Sequence, residues 1–102
     1  MSYTFIYHPL VQEDYNEAYE WYESKQKGLG EKFFKAVRQK IDEINLRPAV
    51  YGSRQNKMFR EASVDFFPFI ITYKINEVKK EIYISSIHHN KKHPQKKYRR
   101  KL

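Results

Sequence analysis

A chain of 102 residues with no cysteine suffices for one domain and excludes both a disulfide framework and a cysteine-based zinc site. Its mean hydropathy is low, at -0.89, but 17% of its residues are aromatic, so a compact core rich in Tyr and Phe is expected rather than disorder. The net charge of +8 is unevenly spread: residues 1–50 hold seven Lys/Arg and eight Asp/Glu, whereas residues 51–102 hold thirteen and four. Between His88 and Leu102 there are seven Lys/Arg, three His and no carboxylate. That polarity fits either a nucleic-acid or acidic-partner surface, or a solvated tail that aids solubility. The opening residues lack the basic and apolar regions of a signal peptide, and no apolar run could cross a bilayer, so a soluble cytoplasmic protein is expected.

The segment Tyr3–His8, apolar and aromatic, reads as a short strand. Pro9 then stands where a helix can begin, and Val11, Tyr15, Ala18 and Tyr22 recur at helical spacing. Glu13, Asp14, Glu17, Glu20 and Glu23 fill the polar side, the first two suiting the helix dipole. Gly28 and Gly30 interrupt the pattern. A second helix is predicted from about Glu31 to Leu46, with Leu29 at its entrance and Phe33, Val37, Ile41 and Ile44 on its buried stripe. Arg47-Pro48 ends it, because the residue before proline avoids the helical region. So short a link between helices implies an antiparallel hairpin.

Residues 49–57 read as a loop, after which the period becomes two. Met58–Val64 is one strand; Phe69, Ile71, Tyr73 and Ile75 alternate along a second; Asn76–Lys80 is a polar turn; Ile82, Ile84 and Ile87 lie on a last strand. The order β-α-α-β-β-β describes a single α+β domain over 1–102, with a helical hairpin on one face of a twisted, mainly antiparallel sheet and a basic tail over about 90–102.

These pieces resemble the RelE/ParE toxin superfamily, most of all its ParE-like, plasmid-stabilisation branch. The resemblance rests on Glu20-Trp21-Tyr22-Glu23, Gly28-Leu29-Gly30-Glu31-Lys32-Phe33, Arg47-Pro48, Arg60, Phe67-Pro68-Phe69, Ile71 and Tyr73, Ile82-Tyr83-Ile84, His89 and Pro94. Their order and spacing are more specific than any one of them. The tail departs from the family pattern: Lys92 stands where Arg is usual and His93 replaces an acidic residue, which keeps charge but loses bidentate phosphate geometry.

The resemblance implies one half of a type II toxin–antitoxin pair, held inactive by an acidic, partly disordered antitoxin to which the basic half is complementary. It leaves two activities open. A ParE-like growth inhibitor would act on DNA gyrase without nuclease chemistry. A RelE-like ribosome-dependent endoribonuclease would cut mRNA without a metal, needing a base, an acid and cationic donors. For that chemistry Arg60, His89 and Tyr98 are the candidate catalytic residues. His88, Lys91, Lys92, Lys96, Lys97, Arg99 and Arg100 are candidates for binding nucleic acid or a partner. Adjacent strand residues point to opposite faces, so one of His88 and His89 faces the concave surface, and the resemblance favours His89. A bland role competes at each position: Arg60 anchoring backbone carbonyls or pairing with the acidic helix, Tyr73 in the core, and Trp21 and Tyr22 packing the hairpin. Three close histidines without a carboxylate repel a cation, so neither metal nor cofactor is expected. A non-toxic nucleic-acid-binding member of the family is a third reading.

Overall fold

The computed structural model describes residues 3–52 and 58–91. Six elements follow in the expected order: β1 (Thr4–Tyr7), α1 (Val11–Lys25), α2 (Leu29–Leu46), β2 (Arg60–Ser63), β3 (Phe69–Asn76) and β4 (Glu81–His89). The strands form one sheet in the order β1-β4-β3-β2. The last three make the antiparallel meander, and β1 returns to pair with β4 in parallel, Phe5 opposite Ile82 and Tyr7 opposite Ile84.

Both helices pack on one face of this sheet. Phe33, Val37 and Ile44 from α2 and Val11, Ala18 and Tyr22 from α1 meet Ile71, Tyr73, Ile82, Ile84 and Ile87 in one core cluster. Ile84 and Ile87 share that face despite their odd spacing. Thr72 pairs with Ser86 and Tyr73 with Ile84, so Ser85 is the extra residue of a β-bulge that inverts the alternation. The Ile87 N–H is then bonded by the Asp14 carboxylate at 3.2 Å, tying the first turn of α1 to β4.

The helix ends differ slightly from expectation. Pro9 sits just before the N-cap residue Leu10 rather than in the first turn of α1. The second helix begins two residues earlier than periodicity alone suggests, because it has a cap supplied from α1. The Glu23 carboxylate accepts the N–H groups of Gly28 and Gly30 at 3.0–3.2 Å, satisfying donors that a helix start leaves open. Gly28 takes φ 90, a left-handed value suited to glycine, and a Cβ on Gly30 would lie 3.1 Å from the Tyr19 carbonyl oxygen. The hairpin therefore closes where the side chains are absent.

The β2–β3 turn also needs a left-handed residue, and it falls on Phe66, at φ 68. Pro68 fixes its own φ, while Asp65 is drawn to Lys40 of α2 at 3.4 Å. A non-glycine residue in this region costs about 1–2 kcal/mol.

Candidate functional site

The sheet has one face under the helices and one turned away from them, and the expected site residues divide between the two. Arg60 lies opposite Tyr73 across β2 and β3, on the helix side. Its guanidinium is half-buried and donates to the carbonyls of Ala49, at 3.2 Å, and Tyr51. Beside it the fully buried Tyr73 hydroxyl donates to the Pro48 carbonyl, and burial pushes its pKa well above the ordinary phenol value. Together the two side chains fasten the segment after α2 to the sheet.

The two histidines part as strand alternation requires. His88 lies on the helix-free face with Thr72 and Ser86; it is 8% exposed, and its Nδ1 is 3.2 Å from the Ser86 hydroxyl. His89 lies opposite Phe69 on the helix side, at the end of the sheet. Its ring meets the Phe69 ring edge-on with centroids 5.4 Å apart, and its Nδ1 accepts the Lys91 N–H at 3.1 Å. It is thus His88 that shares the helix-free face. Arg60 and His89 are far apart: their β3 partners Tyr73 and Phe69 are four residues, roughly 13 Å, apart along the strand.

Lys91 is exposed just beyond β4. Lys92, Lys96, Lys97, Tyr98, Arg99 and Arg100 lie outside the described residues. Among the described residues no three His, Asp or Glu side chains are grouped to hold a metal ion. No described helix is long and apolar enough to span a membrane.

The family model for the ParE toxin of the type II toxin–antitoxin system parDE matches residues 5–94. The chain belongs to the ParE toxin family. Solved structures give the same fold. A double-arginine mutant of the E. coli toxin RelE in the free state superposes with a TM-score of 0.69 at 12% identity, over 98% of this chain and 94% of that one. The chromosomal ParDE toxin–antitoxin system of P. aeruginosa gives 0.64 at 19% identity, over 86% and 96%. The toxin–antitoxin complex RelBE2 of Mycobacterium tuberculosis gives 0.64 at 15%, over 87% and 99%. No curated protein matches the chain.

In this ParE-family chain the Trp-Tyr-Glu and Gly-Leu-Gly motifs have a joint structural meaning. Glu23 of the first caps the helix that the second begins, and Tyr22 packs tilted against Phe33 at 5.3 Å and edge-on to Phe67 at 4.9 Å. Tyr22 is therefore core, as expected, whereas Trp21 remains 56% exposed, edge-on to Tyr22 with the Lys25 ammonium 5.0 Å from its ring.

Sequence reasoning missed one surface altogether. A groove of about 680 Å³ runs between β1 and the two helices, with Val11, Val37 and Ile87 buried in it and Tyr7, Phe34 and Arg38 exposed along it. At its end the His8 ring is buried, its Nδ1 accepting the Leu10 N–H at 3.1 Å. Burial holds the Tyr7 hydroxyl above its ordinary pKa against the pull of the Arg38 charge, so this phenol stays neutral. The signal was present in Tyr7 and Phe34, aromatic residues off the core-facing stripes.

Proposed function

We propose that this protein is the growth-inhibiting toxin of a type II toxin–antitoxin pair and that it inhibits by binding, in the ParE manner, with DNA gyrase as its target. The engagement of both Arg60 and His89 within the fold is the observation that supports this reading. A ribonuclease needs its proton-transfer group and its cationic donors around one phosphate. Here Arg60 is committed to two loop carbonyls and His89 is turned to Phe69. Binding inhibition asks only for a surface.

The cognate partner in this reading is an acidic antitoxin, consistent with the antitoxin present in two of the similar solved complexes. The groove beside β1 offers its apolar side chains a seat, with the exposed Arg38 beside it for a carboxylate. The site of action is the cytoplasm, where gyrase works.

A second reading, the RelE-like endoribonuclease, is favoured by the basic stretch that follows His89 and by the likeness of fold to RelE. One preparation distinguishes the two. The expected result is that purified toxin blocks gyrase supercoiling of plasmid and leaves ribosome-bound message intact by primer extension, with His89→Ala unchanged in the first assay. Codon-phased cuts that disappear in His89→Ala would establish the endoribonuclease instead. Normal growth at high soluble expression, with or without a neighbouring antitoxin, would remove both and leave a nucleic-acid-binding family member.

A further inference from the structure

The two edges of the sheet are guarded differently. At one edge β2 carries Arg60 and Glu61, and charge on an edge strand discourages pairing with another chain. At the other edge β1 is Thr4-Phe5-Ile6-Tyr7 and carries none. The Thr4 and His8 N–H groups donate to the Lys80 and Ile84 carbonyls, at 2.9 and 3.0 Å. With the strand period of two, Phe5 and Tyr7 turn their N–H and C=O groups the opposite way, to an outer edge that no strand of the described residues covers. Both side chains line the groove beside β1, their rings stacked with centroids 6.2 Å apart.

This edge is self-complementary. When a second β1 lies antiparallel to it about a two-fold axis at Ile6, Phe5 of one copy stands opposite Tyr7 of the other. Each such pair exchanges two backbone hydrogen bonds, so every outward N–H and C=O of Phe5 and Tyr7 finds a partner. The paired rings add a favourable aromatic contact across the strands. An axis perpendicular to the sheet keeps both helical hairpins on one side and brings the two grooves, with the exposed Tyr7 and Phe34, face to face.

Charge selects a second copy as the occupant. The groove is lined by one guanidinium and one carboxylate, Arg38 and Asp42, both 69% exposed and only loosely paired within the chain, at 3.8 Å. About the two-fold axis each Arg38 meets the other copy's Asp42, so the surface supplies its own counter-charges. β1, α1 and α2 lie within residues 1–50, which hold seven Lys/Arg against eight Asp/Glu; residues 51–102 hold thirteen against four. Two copies that meet on this side avoid the repulsion between their basic halves.

We propose that the free protein self-associates through its β1 edge as a two-fold dimer with one continuous sheet. The proposal concerns the chain on its own and does not rest on the antitoxin or gyrase readings; an antitoxin seated in the same groove would replace the second copy.

Sedimentation velocity and light scattering of the full chain alone, over a range of concentrations, test this. The mass should rise from 12.5 kDa towards twice that value. Tyr7→Pro leaves the bonds to β4 intact and removes an outward N–H, a place where an edge strand accepts proline. Symmetry then removes two hydrogen bonds at once, so self-association should weaken by about 5- to 150-fold with the circular dichroism spectrum unchanged. The charges give a second reading that spares the strand. Arg38→Asp should weaken the dimer, and combining it with Asp42→Arg should restore it; both side chains are exposed, so the fold is kept. A wild type that stays monomeric at every concentration would overturn the proposal. So would a folded Tyr7→Pro protein that dimerises as the wild type does, or a dimer indifferent to Arg38→Asp.

Discussion

Arg60 and Tyr73 stand opposite each other across β2 and β3, and both donate to the segment that follows α2, Tyr73 to Pro48 and Arg60 to Ala49 and Tyr51. Three carbonyls, of Pro48, Ala49 and Tyr51, are held by two side chains. Tyr73→Phe keeps the packing but strands a buried carbonyl, and should cost about 1–3 kcal/mol. Arg60→Ala should cost about 1–2 kcal/mol through its lost charged donor. Their effects should be non-additive, since they secure one segment. Urea unfolding of the two variants and the double variant measures this. An Arg60→Ala protein with wild-type stability and no toxicity would instead place Arg60 at the target interface.

The α1–α2 junction gives a second prediction. Glu23→Ala removes the acceptor for two N–H groups at the start of α2, and should cost about 1 kcal/mol, the usual value of a lost cap. Gly30→Ala should also destabilise, because its Cβ would press on Tyr19 backbone at 3.1 Å. If Gly30→Ala raised Tm, the helices would have more room at their crossing than this geometry allows.

Much of this fold was legible in the chain, because periodicity reports burial directly. The irregular spacing of Ile82, Ile84 and Ile87 even encoded the bulge at Ser85. The parallel return of β1 to β4 was not legible: a strand of four residues holds no record of its neighbour. The site was less readable still. Arg60 could be named from the resemblance, but its commitment to Ala49 and Tyr51 depends on where a loop passes. Of His88 and His89, alternation predicted opposite faces, while the face each received was set by the bulge three residues earlier.

Lys40, buried between α2 and the β2–β3 turn, predicts the pH range of stability. Its ammonium lies 2.9 Å from Glu43 and 3.4 Å from Asp65, and Glu43 also accepts the Tyr51 hydroxyl at 3.1 Å. The Lys40 hydrogen bond holds the Glu43 carboxyl below its ordinary 4.5. Burial pulls the Lys40 pKa down, but the Glu43 bond and the charges of Tyr51 and Asp65 outweigh it and leave the pKa above 10.5. Glu43 therefore adds stability above pH 4.5 that is lost as pH falls through its lower folded value. Lys40 adds stability below pH 10.5 that is lost as pH rises through its higher one. Glu43→Gln should lower stability at pH 7 and flatten the acid limb of the urea midpoint against pH. Parallel acid limbs in the two proteins would show that the pair contributes nothing to folding.

The groove beside β1 gives the last prediction, which concerns neutralisation by the antitoxin. Phe34 is exposed there on α2, turned away from the buried Phe33 and Val37. Its truncation should cost the fold little, because an exposed ring already meets water. A charge at this position would face both the apolar seat and the carboxylates of an acidic partner. Phe34→Asp should therefore leave growth inhibition intact and weaken antitoxin binding by at least tenfold, the effect of about 1.4 kcal/mol lost at an interface. Phe34→Leu should bind nearly as the wild type does, since the contact is apolar rather than specific to an aromatic ring. Titration calorimetry with the protein encoded beside this chain, together with rescue of growth by its co-expression, reads both quantities. Full rescue of Phe34→Asp with unchanged affinity would mean that the antitoxin lies elsewhere, on the basic second half of the chain.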